Sequence, residues 1–131
     1  MSRKEPIRTE RAPGAVGPYS QGIVAGDLVF SSGQMPVTPD GKMVDESIGA
    51  AAKQCLDNVL AILAEAGAKE SDVLKVTVFL TDMADFGEVN AVYETVFSEP
   101  YPARSCVEVS GLPKGVPVEI EAIARVPGDA T

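Results

Sequence analysis

Two runs near the C-terminus decide how this chain is read. They are Ala103-Arg104-Ser105-Cys106-Val107-Glu108-Val109 and Val116-Pro117-Val118-Glu119-Ile120-Glu121-Ala122-Ile123-Ala124-Arg125-Val126. Both alternate with a period of two, as a strand with one buried face does. Ser110-Gly111-Leu112-Pro113-Lys114-Gly115, rich in turn formers, joins them. A terminal antiparallel hairpin is expected. With Val109 opposite Val116, Val107 faces Val118 and Ser105 faces Ile120, which builds an apolar face to receive helices. A one-residue slip would mix apolar and charged positions on both faces, so the register is well specified. The other face then carries Arg104, Cys106, Glu108, Glu119, Glu121 and Ile123. In this pairing Cys106 lies opposite Glu119, and Arg104 is a diagonal neighbour of Glu119. Pro117 has no N–H and belongs where no ladder bond is needed.

Upstream, Asp72 to Leu80 is a strand with Leu74, Val76, Val78 and Leu80 on one side and Lys75 and Thr77 on the other. Asp82 opens a helix to about Ser98, with Phe86, Val89, Tyr93, Val96 and Phe97 as its apolar stripe and Asn90 at the border. Residues 47–66 form the clearest helix, on a stripe of Ala52, Cys55, Leu56, Val59, Ile62, Leu63 and Ala66. Asp45 or Ser47 caps its start and Gly67 stops it. Cys55 reads as a plain core residue. Ser20 to Gly33 is a hairpin turning at Gly26-Asp27, a Gly-first pair that suits type II′ geometry. Pro6-Ile7-Arg8-Thr9 can add a short edge strand to a partly flexible arm, residues 1–13. The order β-β-α-β-α-β-β predicts a single α+β domain over residues 1–131, with two helices on one sheet face. The other face, charged but holding Ile123, then calls for a partner subunit.

Composition removes whole classes of function. The 131 residues hold 11 Lys plus Arg, 19 Asp plus Glu and no histidine, a net charge of −8. Without histidine there is no Ser-His-Asp triad, Cys-His pair, histidine base or His-ligated zinc. Residues 1–11 carry a local +2 and the body −10. Asp82, Asp85, Glu88, Glu94 and Glu99 follow one another with no basic residue between them, a solvated acidic face. Nucleic-acid binding is disfavoured, because that affinity comes from basic groups on phosphates. No segment has the length and apolarity of a membrane span, and the first residues lack an apolar signal core. Two cysteines, Cys55 and Cys106, make no disulfide framework, and a reducing cytoplasmic setting is the default.

In the expected hairpin a guanidinium, a carboxylate and a thiol converge. Arginine offers a planar fork matched to a carboxylate ligand, and a neighbouring Glu can hold or deprotonate water. The group is suited to binding a small carboxylic acid and hydrolysing a bond beside its carboxylate. A cross-strand Arg–Glu pair on a wet sheet face explains the same spacing. Cys106 is a poor nucleophile, with no histidine to activate it and a facing Glu to disfavour its thiolate.

The Pro102 to Val109 run, Leu112-Pro113-Lys114 and Val118 to Ala124 together resemble the RidA subgroup of the Rid/YjgF family of reactive intermediate deaminases. Ala12-Pro13, Gly17 to Gly22, Ser32 to Pro36, Leu56 to Val59, Val78 to Leu80 and Val89 to Glu94 fit the same pattern in order. The resemblance implies a chorismate-mutase-like fold and a homotrimer. Its sheets would form a central barrel with the helices outside and the active sites in clefts between subunits. It also implies hydrolysis of enamine/imine intermediates, such as 2-iminobutanoate and 2-iminopropanoate, to 2-keto acids and ammonia, with no metal or organic cofactor. By the same resemblance Arg104 pairs with the substrate carboxylate and the Cys106 backbone N–H helps hold it. Glu119 positions the attacking water, Tyr19 covers the pocket, and Ser32 and Gly33 line it. Asn90 also matches a family position, whereas Glu121 has no assigned role. Two other readings remain: a non-catalytic trimer that binds 2-keto acids, and the endoribonuclease or translation-inhibitor activity ascribed to some members.

Overall fold

The computed structural model describes residues 4–128. In chain order the strands are β1 (Lys4–Ile7), β2 (Gly22–Ala25), β3 (Leu28–Ser31), β4 (Val73–Leu80), β5 (Ala103–Glu108) and β6 (Val118–Arg125). Helix α1 (Ile48–Ala64) lies between β3 and β4, and α2 (Phe86–Val96) between β4 and β5.

Local chemistry places most elements where the pattern predicts them. β2 and β3 pair with Ala25 opposite Leu28, and Gly26 alone at that turn takes a positive φ, 63°. That is the type II′ arrangement, whose twist matches the flanking strands. β1 adds to β2 as the edge strand, but it spans Lys4–Ile7, two residues earlier than the expected Pro6 to Thr9. Ser47 is the cap of α1: its Oγ accepts the Ala50 N–H at 3.0 Å. Ala52, Cys55, Leu56, Val59, Ile62 and Leu63 are at most 1% exposed, so the α1 stripe is the core and Cys55 belongs to it.

Two details differ. Leu74 was expected inward but is 46% exposed. A β-bulge opposes Val73 to Ala124 and Lys75 to Ile123, so Leu74 has no partner and Val73 takes the core position. The second helix is shorter than its apolar stripe. Asp82 opens a 3-10 turn, Met83–Asp85, by accepting the Ala84 N–H, and α2 then ends at Val96. Phe97 is already extended and folds its buried ring against Tyr93, with centroids 4.8 Å apart. Pro100 and Pro102 follow, where a helix could not continue.

The strand order corrects the terminal hairpin. The sheet runs β1-β2-β3-β6-β4-β5, so β4 lies between β5 and β6. β5 pairs only with β4, in parallel, and β6 is antiparallel to both β4 and β3. The reason lies in the connections. A strand, a helix and a strand in succession make a crossover unit that returns the second strand parallel to the first. The 110–115 link, which contains a 3-10 turn at Pro113–Gly115, is no tight hairpin and carries the chain past β4.

The faces follow from the pairing. Arg104, Val76 and Ala122 are laterally aligned, as are Cys106, Val78 and Ile120, and each set shares a face. That face carries Val29, Val76, Val78, Leu80, Val118, Ile120, Ala122 and Ala124, all at most 3% exposed, with both helices over it. The other face holds Lys75, Thr77, Phe79, Ser105, Val107, Glu119, Glu121, Ile123 and Phe30. The expectation for β6 therefore stands, with Glu119, Glu121 and Ile123 turned away from the helices. The expectation for β5 is reversed: Arg104, Cys106 and Glu108 are on the helix side, and Val107 is on the other side and 40% exposed. Among the described residues no helix is long and apolar enough to cross a membrane.

Candidate active site

The predicted site residues fall into two groups. The first is built on β5, at the end of the sheet. Arg104 is half-buried, and its Nη1 donates to Asn90 Oδ1 at 2.7 Å. Its guanidinium carbon sits 4.7 Å from the Tyr93 ring centroid and 5.4 Å from that of Phe86, within range of cation–π attraction. Phe86, Asn90 and Tyr93 are spaced i, i+4, i+7, so one face of α2 makes all three contacts. A cavity of about 330 Å3 opens beside Arg104, lined by Asn90, Tyr93, Glu94, Tyr101 and Pro102. Among the described residues Arg104 has no carboxylate partner.

Cys106 follows two residues along the same face. Burial pushes its thiol up, and the Arg104 charge offsets only part of that. A thiol held protonated is a weak nucleophile. Its backbone is better placed. The Val109 N–H bonds to the Leu80 carbonyl at 2.8 Å, so the N–H groups of alternate β5 residues point toward β4. Those of Arg104, Cys106 and Glu108 therefore face the open edge, on the strand that carries Arg104. An N–H and a guanidinium at one edge are a competent anion receptor.

The second group lies around the other face of the sheet. Glu119 leans against Gly33, where an added Cβ would fall 2.9 Å from the Glu119 carboxyl carbon. Glycine here is a matter of space, because its φ is not positive. Burial, and then the neighbouring Glu121, hold the Glu119 carboxyl above the usual carboxylate range. A raised carboxyl is suited to taking up and returning a proton. Ser32 stands beside Gly33, and its hydroxyl donates to the Ser20 carbonyl at 2.6 Å. That bond ties the strand end to the loop carrying Tyr19. Tyr19 is half-exposed, with its hydroxyl 3.4 Å from the Val16 N–H. A cavity of about 470 Å3 under the N-terminal arm is lined in part by Tyr19, Ser20 and Gln21 but by none of the other predicted site residues.

Arg104 and Glu119 do not converge within one chain. They sit on strands separated by β4, roughly 10 Å apart across the sheet, and on opposite faces. The wet-face Arg–Glu pair falls with the same correction. The Phe86 and Tyr93 stacking was missed because those residues read equally well as core. Their spacing with Asn90 was the available signal. Among the described residues no group of three or more His, Cys, Asp or Glu is arranged to hold a metal.

Comparison with known proteins identifies the family. A family model described as endoribonuclease L-PSP matches residues 9–126. The fold aligns with the YjgF gene product of Escherichia coli at a TM-score of 0.89 and 50% identity, over 94% of this chain and 99% of that one. The chain belongs to the Rid/YjgF family. Within that family it is 54% identical over 121 residues to the 2-iminobutanoate/2-iminopropanoate deaminase of Salmonella typhimurium, covering 90% of this chain and 94% of the relative. It also matches Escherichia coli TdcF with bound serine, at a TM-score of 0.89 and 49% identity, over 95% of this chain and all of that one. The Rid/YjgF match extends over both residue groups, β5 with Arg104 and β6 with Glu119.

Proposed function

We propose that this chain is a 2-iminobutanoate/2-iminopropanoate deaminase, hydrolysing reactive imino acids to 2-keto acids and ammonia at sites shared between copies of itself. The observation that carries the reading is Arg104: a half-buried guanidinium at an open strand edge, beside a cavity, with no carboxylate paired to it among the described residues. Such a group suits a small anionic ligand. The similarity to the Salmonella typhimurium deaminase supplies the reaction, and TdcF with bound serine supplies a ligand of similar size that carries a carboxylate.

The chemistry follows from the two groups. Arg104 and the Cys106 N–H hold the substrate carboxylate, which fixes the adjacent imine carbon. Glu119 of a neighbouring copy holds a water against that carbon and accepts its proton as the C–O bond forms. The carbinolamine nitrogen takes a proton from solvent water, the C–N bond breaks with its electron pair leaving on ammonia, and the hydroxyl gives up its proton to form the C=O of the keto acid. Gly33 lies against Glu119, Ser32 stands next to it and ties in the loop that carries Tyr19, and these residues close the pocket from that side. Because the two groups occupy opposite faces of one sheet, a second copy is needed to complete the site. The uncovered face and the unpaired edge of β5 give that copy its place, and a homotrimer satisfies both. The two free cysteines fit a reducing, cytoplasmic setting.

The test couples threonine dehydratase to this protein and follows decay of 2-iminobutanoate. Wild type accelerates the decay and Arg104→Ala does not. No acceleration by wild type would sink the deaminase and leave a keto-acid-binding trimer. The endoribonuclease named in the family model is favoured only if RNA cleavage is found and survives Arg104→Ala, against the −8 charge.

A further inference from the structure

Two arginines in this chain are held in contrasting ways. Arg125 donates to Asp72 Oδ1 at 3.2 Å, a carboxylate that also caps the Lys69 N–H at 2.9 Å. Its positive charge is matched locally. Arg104 is held just as definitely, but every group holding it is neutral: the Asn90 amide oxygen on Nη1 and the Tyr93 and Phe86 rings near its guanidinium. The amide is itself oriented, because Asn90 Nδ2 points to Glu94 Oε1 at 3.5 Å, which leaves Oδ1 for Arg104. Asn90 is half-buried and Glu94 exposed, so Glu94 meets solvent at the cavity wall and the hydrogen bonds run from it through the Asn90 amide to the guanidinium.

We propose that Asn90 is a positioning residue for Arg104. It fixes the guanidinium with a neutral acceptor, so that the orientation is set while the full charge stays available for the substrate carboxylate. The inference rests on the reading of Arg104 as the carboxylate clamp. A carboxylate in place of Asn90 would orient Arg104 equally well, but it would pair with it and compete with the ligand. The tetrahedral side chain of a lysine could not be held flat against the rings in this way. The rings add attraction without neutralising the charge.

The experiment titrates the folded, full-length protein with 2-oxobutanoate, the product keto acid, and measures imine decay in parallel. Circular dichroism and sedimentation confirm fold and assembly for each variant. Asn90→Ala should weaken 2-oxobutanoate binding by about tenfold, the scale of one hydrogen bond to a charged group. The loss should fall in KM more than in kcat. Asn90→Asp is the discriminating variant. It keeps an acceptor at the same place and should still bind more weakly than wild type, by at least about tenfold at pH 7. If Asn90→Asp binds as wild type does, the hydrogen bond alone matters and the neutral-holder inference is overturned. Wild-type binding by Asn90→Ala overturns the positioning role altogether. Arg104→Ala separates the two levels: if it binds 2-oxobutanoate normally, the clamp itself is wrong and both readings fall. If it loses binding while Asn90→Asp retains it, only the present inference fails.

Discussion

The two halves of the proposed site are built on opposite principles. The Arg104 half sits at an open strand edge, and its charge is fixed from outside by the Phe86, Asn90 and Tyr93 face of α2. The Glu119 half sits on an interior strand, paired on both sides. Its carboxyl has no hydrogen-bonding partner among the described residues and is shaped by burial and by the space that Gly33 leaves. One half is thus an ordered cation waiting for an anion. The other is an anion kept short of stabilisation, ready to take a proton. Within one chain the sheet holds them apart, and the proposed reaction requires that they meet. The comparison therefore predicts how each half responds when the other is removed.

The largest effect expected is recovery from nothing. Arg104→Ala and Glu119→Gln are each inactive alone in the proposed mechanism. Unfolded, mixed in equal amounts and refolded together, they should regain activity. In a symmetric ring each site takes Arg104 from one copy and Glu119 from the next, so random mixing restores roughly a quarter of the sites. Coupled imine decay measures it. A mixture as inactive as its parents would mean that both residues must come from one chain, and the shared site would be lost.

How much of this was legible beforehand depends on which kind of contact is asked about. Alternation placed Glu119, Glu121 and Ile123 on the uncovered side, because period-two burial is a property of one strand read by itself. The α1 stripe, the Ser47 cap and the Gly26 turn were legible for the same reason: each is decided within a few residues. Strand order was not, because it depends on which surfaces meet across long connections. The pattern of β5 fits either face, since at a sheet edge neither face is fully buried. Arg104 stands out in the sequence, but its strand pairing puts it on the face opposite to the one a terminal hairpin would give. The succession of β4, α2 and β5 was a signal for parallel pairing. That connection outranks the turn formers at 110–115 and separates Arg104 from Glu119.

The next effect sharpens the contrast in how the two halves are held. Gly33→Ala places a methyl group where the Glu119 carboxyl now lies. The carboxyl is the far end of a flexible side chain, and the Gly33 backbone is open to alanine, so the fold accommodates the change. The position of the reacting water does not, because a shift of about 1 Å at such a site can cost roughly 100-fold in rate. Deaminase activity should fall by about that factor, while 2-oxobutanoate binding, which depends on the Arg104 half, changes little. Equal losses in both measurements would show that the two halves are not held independently.

The smallest effect is on stability, and its sign is the informative part. The Glu119 carboxyl is raised chiefly by desolvation, with Glu121 adding to it. The folded chain therefore favours the protonated form. Below the usual carboxylate range, both folded and unfolded chains carry the proton and ionisation has no effect on stability. As pH rises, the unfolded chain ionises first and stability falls until the folded pKa is passed, after which the deficit is constant. Glutamine never ionises. Glu119→Gln should consequently melt slightly above wild type at pH 7, and the difference should close below about pH 4. Melting curves at equal protein concentration test this, with the effect kept small by the carboxyl's partial exposure. The reverse order at neutral pH would mean that Glu119 gains a hydrogen-bond donor in the assembled protein. The second copy would then be holding the carboxylate directly rather than only closing the pocket over it.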